Sequence, residues 1–211
     1  TLIYTSGTTG QPKGCALTHA NFIFELATAV DSLSELFADQ EAATLLFLPL
    51  AHVFARIIQV GCVRTGVRMG HSSDMNNLIN DLGSFRPSFI LAVPRVFEKL
   101  FNTSAQRAVA DGRGRVFDRA AKVAISYSRA LDKGSPNPVL SIQHRLFDRM
   151  VYAKLRAALG DNCQYALSGG APLGERLGHF FRGMGIPILE GYGLTGTTAA
   201  LTVNLPDDQK I

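Results

Sequence analysis

Near its amino end the chain reads Tyr4-Thr5-Ser6-Gly7-Thr8-Thr9-Gly10-Gln11-Pro12-Lys13-Gly14. Three glycines let backbone amides approach an anion closely, four Ser and Thr hydroxyls add hydrogen-bond donors, and Lys13 adds a positive charge. The preceding run Thr1-Leu2-Ile3-Tyr4 predicts the end of a buried strand, so we expect the loop at a strand's carboxyl end, where open α/β sheets bind ligands. The stretch therefore predicts a polyphosphate-binding loop, with a Gly/Ser/Thr-rich surface turn as the alternative.

The same stretch disfavours an ordinary P-loop nucleoside triphosphatase. The loop of that class requires a Gly, four further residues and then Gly-Lys-Ser/Thr. Here Lys13 follows Pro12 and precedes Gly14. A different class of nucleotide-binding protein is therefore indicated.

Residues 4–14 resemble the phosphate loop of the adenylate-forming, or AMP-binding, superfamily, which contains acyl-CoA synthetases, luciferases and peptide-synthetase adenylation domains. Two further stretches fit this family in the expected order, Leu48-Pro49-Leu50-Ala51-His52 and Glu190-Gly191-Tyr192-Gly193-Leu194-Thr195. The run Phe85-Arg86-Pro87-Ser88-Phe89-Ile90-Leu91-Ala92-Val93-Pro94-Arg95-Val96-Phe97-Glu98-Lys99 is similar to the long-chain fatty-acyl-CoA synthetase branch, in particular to bacterial members of actinobacterial type. The resemblance covers most of the chain.

The length and composition are those of a globular domain. The chain has 211 residues, of which 46% are hydrophobic and 18% are charged, enough for one sizeable core or two small ones. Because the chain does not begin with Met and family members are much longer, we expect a fragment. Residues 1–211 would be part of the N-terminal AMP-binding domain, without the C-terminal domain, which in the family supplies an Asp for the ribose and a Lys for the carboxylate.

Cysteine usage and hydropathy bear on the location of the protein. Cys15, Cys62 and Cys163 lie in apolar or strand-like settings without metal-binding spacing, so we expect buried, reduced thiols and a cytoplasmic protein. No signal peptide is visible, and no apolar run approaches the ~20 residues that a membrane span requires.

Apolar runs of strand length alternate with helical periodicity along the chain. This alternation predicts an α/β fold of layered sheets with mainly parallel strands, flanked by helices and carrying a helical insertion. Strands are predicted at 44–48, 67–69, 88–93, 163–167, 187–190 and 199–203, and helices at 18–33, 53–64, 75–82, 96–109 and from 173 onward.

A helical hairpin is predicted at 112–160, between an α/β part at 1–111 and a second one at 161–211. Its first helix is marked by Val116, Ala120, Val123, Tyr127 and Leu131. Its second is marked by Ile142, Leu146, Met150 and Ala153, and both helices are expected to be amphipathic.

The resemblance implies that the loop binds the β- and γ-phosphates of ATP and closes on them, as its glycines permit. The residues implied are Thr5, Ser6, Gly7, Thr8, Thr9, Gly10 and Lys13, and Lys13 is also a catalytic candidate.

The later motifs complete the implied site. His52 would donate a hydrogen bond near the acyl carboxylate and the adenylate phosphate, with a polar helix cap or a satisfied core residue as the alternatives. A strand-to-helix turn would line the adenine and acyl pocket, or else serve only as a tight turn; it consists of Ser168, Gly169, Gly170, Ala171 and Pro172. Tyr192 would stack on adenine, with a core tyrosine as the alternative. Thr195, a catalytic candidate with His52, would bind the α-phosphate. The stretch that holds them consists of Glu190, Gly191, Tyr192, Gly193 and Thr195.

One position departs from the family pattern. After Leu194-Thr195 the family usually has a glutamate that helps to bind Mg²⁺, but this chain has Gly196. Because glycine offers no side-chain ligand, we expect weakened metal-assisted phosphate alignment. Glu190 is nearby in sequence, although its position at a strand end does not establish that it replaces the missing group.

The net charge of +4 is unevenly distributed. Residues 107–156 contain eleven Lys or Arg and four Asp, so this region could contact an anionic membrane surface or coenzyme A, or be a solvated helix face. Nucleic acid is a poor partner because no interleaved aromatic residues or known nucleic-acid module accompany these charges.

The function predicted by the resemblance is that of an ATP-dependent long-chain fatty-acid:CoA ligase, with long-chain fatty acid, ATP and coenzyme A as substrates. Activity is expected to be low in a fragment. A fatty-acyl-AMP ligase that loads a carrier protein and a catalytically impaired nucleotide- or acyl-binding module are the alternatives. Phe97 would be a gate to an acyl tunnel or a core helix residue.

Overall fold

The computed structural model describes residues 1–6, 10–37 and 41–211, and within these ranges helices surround three small β-sheets. The strands are β1 (Leu2–Thr5), β2 (Lys13–Ala16), β3 (Ala43–Leu46), β4 (Arg68–His71), β5 (Phe89–Ala92), β6 (Tyr165–Ser168), β7 (Ile188–Tyr192) and β8 (Thr202–Val203). The α-helices are α1 (His19–Ser32), α2 (Ser34–Phe37), α3 (Val53–Thr65), α4 (Leu78–Phe85), α5 (Pro94–Ala110), α6 (Gly114–Asp132), α7 (Pro138–Phe147), α8 (Ala153–Ala158) and α9 (Glu175–Gly183). The predicted α/β fold class is confirmed.

The largest sheet in the described ranges has the strand order β5-β6-β7-β8. Strands β5, β6 and β7 are parallel, with Ala92, Ser168 and Glu190 side by side in register, whereas β8 is antiparallel to β7. The carboxyl ends of the three parallel strands therefore lie at one edge of the sheet.

Helices cover both faces of this sheet. Because successive residues of a strand face opposite sides, Leu91 packs in one apolar cluster with Cys62 of α3, and Ile90 packs in another with Phe97 of α5. All four residues of β5 are buried, as expected for a strand between two helical layers.

Side chains join the parallel pair β3–β4 to β5. Thr44 Oγ1 donates a hydrogen bond to the Phe89 carbonyl at 3.0 Å, and Ser88 Oγ accepts one from the Ala43 amide at 2.9 Å. The contacts advance in the same direction along both strands, so β3 runs parallel to β5. The carboxyl end of β3 thus lies at the same edge as those of β5, β6 and β7.

The first strand is not the buried sheet strand that the sequence predicted. Strand β1 forms an antiparallel hairpin with β2, with Thr5 opposite Lys13, and the phosphate-loop residues connect the two. Only Ile3 of β1 is buried, while Leu2 and Tyr4 are more than 60% exposed. The apolar run reads as a core strand in the sequence, but its successive residues point to opposite faces and one face is uncovered.

Several helix boundaries follow local signals. Thr18 Oγ1 accepts a hydrogen bond from the Asn21 amide, and the Asn21 side chain accepts one from the Thr18 amide, so α1 begins with a capping box. Helix α3 ends at Gly66, whose φ of +76° is the left-handed conformation that favours glycine. Helix α4 begins at Leu78, three residues after the predicted Met75, and the short helix α2 was not predicted.

The long connection between β5 and β6 is helical. It contains α5, α6 and a nearly continuous segment in which α7, a π-helical turn at Asp148–Tyr152 and α8 follow one another. Helix α6 packs against α5, α7 and α9. The predicted boundaries of this insertion, at 112 and 160, stay a prediction.

The apolar residues that mark the second hairpin helix lie mostly outside the core. Ile142 is 71% exposed, Leu146 55% and Met150 45%. The residues that enter the core are Phe147 and Tyr152. Ile142 and Leu146 both lie in α7, before the π-helical turn, so their apolar spacing follows the exposed face of the helix.

A buried polar network joins α6 to α9. Arg182 Nε donates to Ser128 Oγ at 2.7 Å, and the same hydroxyl lies 3.0 Å from His179 Nδ1. Burial, followed by the neighbouring Arg182 charge, lowers the pKa of His179 below its usual value. The histidine therefore favours its neutral form in the folded protein.

Candidate functional site

Three of the predicted site groups lie along the carboxyl edge of the parallel strands. His52 follows β3, residues 169–172 follow β6, and Gly193 and Thr195 follow β7. Because ligands of open α/β sheets bind outside the carboxyl ends of the strands, this edge is the candidate active site.

The fourth group lies on the β1–β2 hairpin. Thr5 and Lys13 are cross-strand neighbours, and Thr5 Oγ1 donates to the Lys13 carbonyl at 3.4 Å. Alternate residues share a face, so both lie on the same side as Ile3 and Cys15, which pack in the apolar cluster between α1 and α3. The predicted phosphate-binding Lys13 is exposed.

The loop itself is only partly described. Ser6 and Gly10 are exposed at its two ends, and Gly10 has a φ of +135° that favours glycine. Gly7, Thr8 and Thr9 lie outside the described residues, so their assignment to phosphate binding remains a prediction.

A contact brings the hairpin to the segment after β7. Cys15 Sγ donates to the Thr195 carbonyl at 3.7 Å, across 180 residues of sequence. Lys13 lies two residues before Cys15 on the same face of β2. The structure thus places the phosphate-loop hairpin beside the predicted α-phosphate ligand, Thr195.

His52 is exposed immediately before α3. Its amide donates to the Pro49 carbonyl at 3.0 Å and its carbonyl accepts from the Arg56 amide at 3.2 Å. Its imidazole makes no capping hydrogen bond, so the alternative of a side-chain helix cap is wrong. The ring is accessible to a ligand at the edge.

The last residue of β6 carries a buried hydroxyl that has no hydrogen-bond partner among the described residues. Ser168 is 2% exposed, and its Oγ has no hydrogen bond within the described part of the chain. Gly170 has a φ of +84°, while Ala171 and Pro172 are exposed. Because an unpaired buried hydroxyl is unfavourable, Ser168 Oγ is a candidate donor or acceptor for a bound molecule.

Phe54 is a candidate site residue that sequence reasoning missed. A Cβ on Gly169 would lie 3.7 Å from Phe54 Cζ and 3.5 Å from the Gly191 carbonyl oxygen. The ring thus covers the glycine backbone between the ends of β6 and β7. Its position two residues after the candidate His52 was the available signal.

Glu190 has a structural partner. Its Oε1 accepts a hydrogen bond from the Leu173 amide at 3.1 Å and so ties the turn after β6 to β7. A cavity of about 120 Å³ lies beside it and is lined in part by Pro172, Asn204 and Lys210. At least one oxygen of this carboxylate is therefore already engaged.

The end of β7 and the segment after it hold the remaining predicted residues. Tyr192 is 62% exposed, Thr195 is half-buried, and Gly196 is exposed with no atom within 4 Å of where its Cβ would be. A Cβ on Gly193 would overlap the Ala199 carbonyl, so glycine is required there by close backbone approach.

Within residues 1–6, 10–37 and 41–211 the described side chains do not form a magnesium-binding cluster. In the described ranges, no group of three or more His, Cys, Asp or Glu could hold a metal ion. Gly196 contributes no ligand, and Glu190 is engaged with the Leu173 amide. The chemistry of this donor set does not fit Mg²⁺, which prefers carboxylate oxygen.

Phe97 is a core residue. It is 1% exposed and packs edge-to-face on Phe181, with ring centroids 5.5 Å apart. Of the two roles considered for Phe97, a gate to an acyl tunnel and a core helix residue, the structure supports the core residue.

Among the thiols, burial raises the pKa of Cys62 to about 11 and that of Cys163 to about 12. Cys15 is only half-buried, contrary to the prediction, because its strand lies in the partly uncovered hairpin.

The family profile and the similar proteins all match nearly the whole length of this chain. The profile of one family, described as AMP-binding enzyme, matches residues 1–211. The long-chain-fatty-acid–CoA ligase FadD15 of Mycobacterium tuberculosis is 51% identical over 211 residues, 100% of this chain and 35% of that protein. Long chain acyl-CoA synthetase 4 of Arabidopsis thaliana is 34% identical over 218 residues, 99% of this chain and 31% of that protein. The chain spans about a third of the length of these relatives.

A solved structure shares the fold. The O-succinylbenzoate coenzyme A synthetase of Bacillus subtilis, in complex with ATP and magnesium ion, is similar with a TM-score of 0.63 at 20% identity. The match covers 98% of this chain and 32% of that one.

Proposed function

The chain belongs to the AMP-binding enzyme family, and from this premise we propose that the protein activates a long-chain fatty acid with ATP and passes the acyl group to coenzyme A. A carboxylate oxygen attacks the α-phosphorus of ATP, and the bond from that phosphorus to the pyrophosphate oxygen breaks. The thiol of coenzyme A then attacks the acyl carbon, loses its proton and displaces AMP. The family predicted from the sequence is confirmed by the profile match.

The observation that carries the proposal is the contact between Cys15 and Thr195. It joins the hairpin of Lys13 to the carboxyl edge where His52 and Ser168 lie. A triphosphate along this edge would meet donors at both ends. Lys13 would bind the leaving pyrophosphate, and Thr195 would bind the α-phosphate.

The other predicted residues have roles in the same proposal. His52 donates a hydrogen bond to the reacting carboxylate or the adenylate phosphate. The turn at 168–172 and the ring of Phe54 line the adenine and acyl pocket, and Tyr192 stacks on the base. The exposed Ser6 and Gly10 would bring backbone amides to the β- and γ-phosphates.

None of the side chains named in these steps is assigned as a magnesium ligand. The donor set does not fit the ion, and a metal bound with ATP would have to be held by phosphate oxygens and water. We therefore derive no step through it.

The test uses a chimera of FadD15 in which this chain replaces the matching segment. With ATP and palmitate, hydroxylamine should trap the acyl-adenylate, and added coenzyme A should yield palmitoyl-CoA. Lys13→Met and Thr195→Val should each lower trapping at least ~10-fold, as expected for a lost charge-assisted hydrogen bond. Lys122→Gln, which removes an exposed cation of α6, is the matched control and should have no effect.

Two outcomes would separate the alternatives. Trapping with ATP but no product with coenzyme A would indicate a ligase that loads a carrier protein. No trapping, with nucleotide binding retained, would indicate an impaired binding module, which Gly196 and the engaged Glu190 favour.

Acyl length is a separate part of the proposal. Burying a chain in an apolar site contributes ~0.8 kcal/mol per methylene, so palmitate should compete far better than octanoate. Equal competition by the two acids would contradict the long-chain assignment.

We also propose that the outward face of α7 and of the π-helical turn that follows it contacts an anionic membrane surface. Four exposed apolar side chains lie beside two exposed arginines on this face: Val139, Ile142, Leu146, Met150, Arg145 and Arg149. The carboxylate in the same stretch, Asp148, is paired with Arg156 at 2.7 Å. An apolar stripe with unopposed positive charge complements acidic lipid headgroups over an acyl layer.

No helix in the described ranges is both long and apolar enough to cross a bilayer. The proposed contact is therefore peripheral. The free cysteines agree with a reducing compartment, and we place the contact at the cytoplasmic leaflet.

Vesicle sedimentation tests the membrane contact. The protein should bind vesicles of phosphatidylcholine with phosphatidylglycerol, and Arg145→Gln with Arg149→Gln should weaken binding ~30-fold, from ~1 kcal/mol for each charge. Ile142→Ser should also weaken it, whereas the Lys122→Gln control should not. Unchanged binding in these variants would refute the proposal, as would a dimer in solution that the Ile142 change dissociates.

A further inference from the structure

The segment at 193–200, which contains Thr195, has an unfavourable backbone. Thr198 has a φ of +65° and Ala199 a φ of +99°, left-handed conformations that residues with a Cβ rarely adopt. The carbonyl of Ala199 fills the space where Gly193 lacks a Cβ. Such a conformation persists only where the surroundings impose it.

Part of that constraint comes from within the segment. The Ala199 amide donates to the Leu194 carbonyl at 3.2 Å, and the Leu201 amide donates to the Tyr192 carbonyl at 2.8 Å. These bonds close the turn. They do not fix where the turn lies relative to the phosphate-loop hairpin.

Helix α1 supplies that second constraint through Glu25. Glu25 Oε1 accepts a hydrogen bond from the Ala200 amide at 3.1 Å, across 175 residues of sequence. Next to this bond, Ala199 is buried in the apolar cluster that contains Phe22 and Leu26 of α1. A carboxylate and an apolar contact thus hold the segment from one helix face.

The same helix is tied to the hairpin. Only Leu17 and Thr18 separate β2 from α1, and the Leu17 amide donates to the Thr1 carbonyl at 2.8 Å. Leu17 and Ile3 share the apolar cluster with Ala199. Helix α1 therefore connects the two segments that would bind the two ends of a triphosphate.

We propose that Glu25 is a positioning residue for the nucleotide site, whose hydrogen bond to the Ala200 amide fixes Thr195 relative to the Lys13 hairpin. The proposal rests on the proposed function, because Thr195 and Lys13 are phosphate ligands only there. Burial raises the pKa of the Glu25 carboxyl, and the bond from Ala200 opposes that rise, as expected for a half-buried carboxylate held by a backbone donor.

The test compares Glu25→Ala with Glu25→Gln and Asp31→Ala in this chain. Gln keeps an oxygen that accepts the bond, and Asp31 is an exposed carboxylate of the same helix, so its removal controls for charge. Amide hydrogen exchange at 194–201 and calorimetric binding of AMP and ATP are measured for each variant.

Glu25→Ala should speed exchange at Ala200 and weaken nucleotide binding about tenfold, the effect of losing a hydrogen bond to a charged group. Glu25→Gln should restore most of both, and Asp31→Ala should resemble wild type. If the role of Glu25 were purely structural, Glu25→Ala would lower the unfolding midpoint without a selective change in amide exchange at 194–201. Glu25→Gln would then not restore nucleotide binding.

The outcomes that overturn the proposal differ from those that overturn the function. Unchanged exchange at Ala200 in Glu25→Ala refutes the positioning role, as does faster exchange with unchanged nucleotide affinity. If wild type binds no nucleotide at all, the proposed function fails. The exchange measurement then decides only whether Glu25 orders the segment at 193–200. Unchanged exchange in Glu25→Ala would refute this ordering role as well.

Discussion

Replacing Gly196 with glutamate tests the consequence of the departure from the family pattern. No atom lies within 4 Å of the position that its Cβ would take, and Gly196 is not among the residues with positive φ. The new side chain therefore extends into solvent without strain. An exposed substitution of this kind changes the free energy of unfolding by less than about 0.5 kcal/mol.

For a chain of this size, that limit corresponds to a melting temperature within about 2 °C of wild type. The control in the same segment is Gly193→Ala, whose Cβ would overlap the Ala199 carbonyl. Overpacking against backbone should cost about 2–3 kcal/mol. The melting temperature should then fall by about 4–12 °C.

The functional gain is measured as ATP–pyrophosphate exchange in the FadD15 chimera and as Mg²⁺-dependent ATP binding. Gly196→Glu should raise both on the order of tenfold, because it adds the carboxylate oxygen that the site lacks. Gly196→Gln has the same shape without the charge and should give little gain.

Two results would refute this reasoning. The melting temperature of Gly196→Glu could fall as far as that of Gly193→Ala. Such a fall would show that the space around the Gly196 Cβ position is not open. Equal exchange rates for wild type, Gly196→Glu and Gly196→Gln would show that the missing carboxylate does not limit adenylation.

Three further predictions concern charge and thiol chemistry. Lys13→Met should weaken binding of ATP about tenfold but leave AMP binding and the melting temperature unchanged, since Lys13 is exposed and would contact only the outer phosphates; equal losses for ATP and AMP would contradict this role. In the folded chain a thiol reagent at pH 8 should label Cys15 first, because Cys62 and Cys163 are buried with a pKa of about 11 and about 12; mass spectrometry of the labelled peptides checks the order. The lowered pKa of His179 means that its contribution to stability is present above pH ~6.5 and is lost as pH falls toward the folded-state pKa. The urea midpoint should therefore drop between pH 7.5 and 5.5, and His179→Gln should remove part of that drop.

Much of the fold was predictable because its signals are local. Four consecutive buried residues in β5, the Thr18–Asn21 capping box and Gly66 at the end of α3 each act within a few residues. An apolar run bounded by breakers has few ways to bury itself, so its element type follows from the sequence. The hairpin at β1–β2 and the outward face of α7 were not predicted, because coverage of an apolar face depends on which elements pack against it.

For the site, the sequence alone determined which chemical groups are available: a glycine- and hydroxyl-rich loop with Lys13, a histidine after a strand, and Gly196 where a carboxylate is expected. Only the tertiary structure decided which of these groups meet. It set Thr195 beside Cys15, engaged Glu190 with the Leu173 amide and brought Glu25 to the Ala200 amide. These contacts join residues between 17 and 180 positions apart, and such pairings arise from the packing of whole elements, which no local pattern of residues encodes.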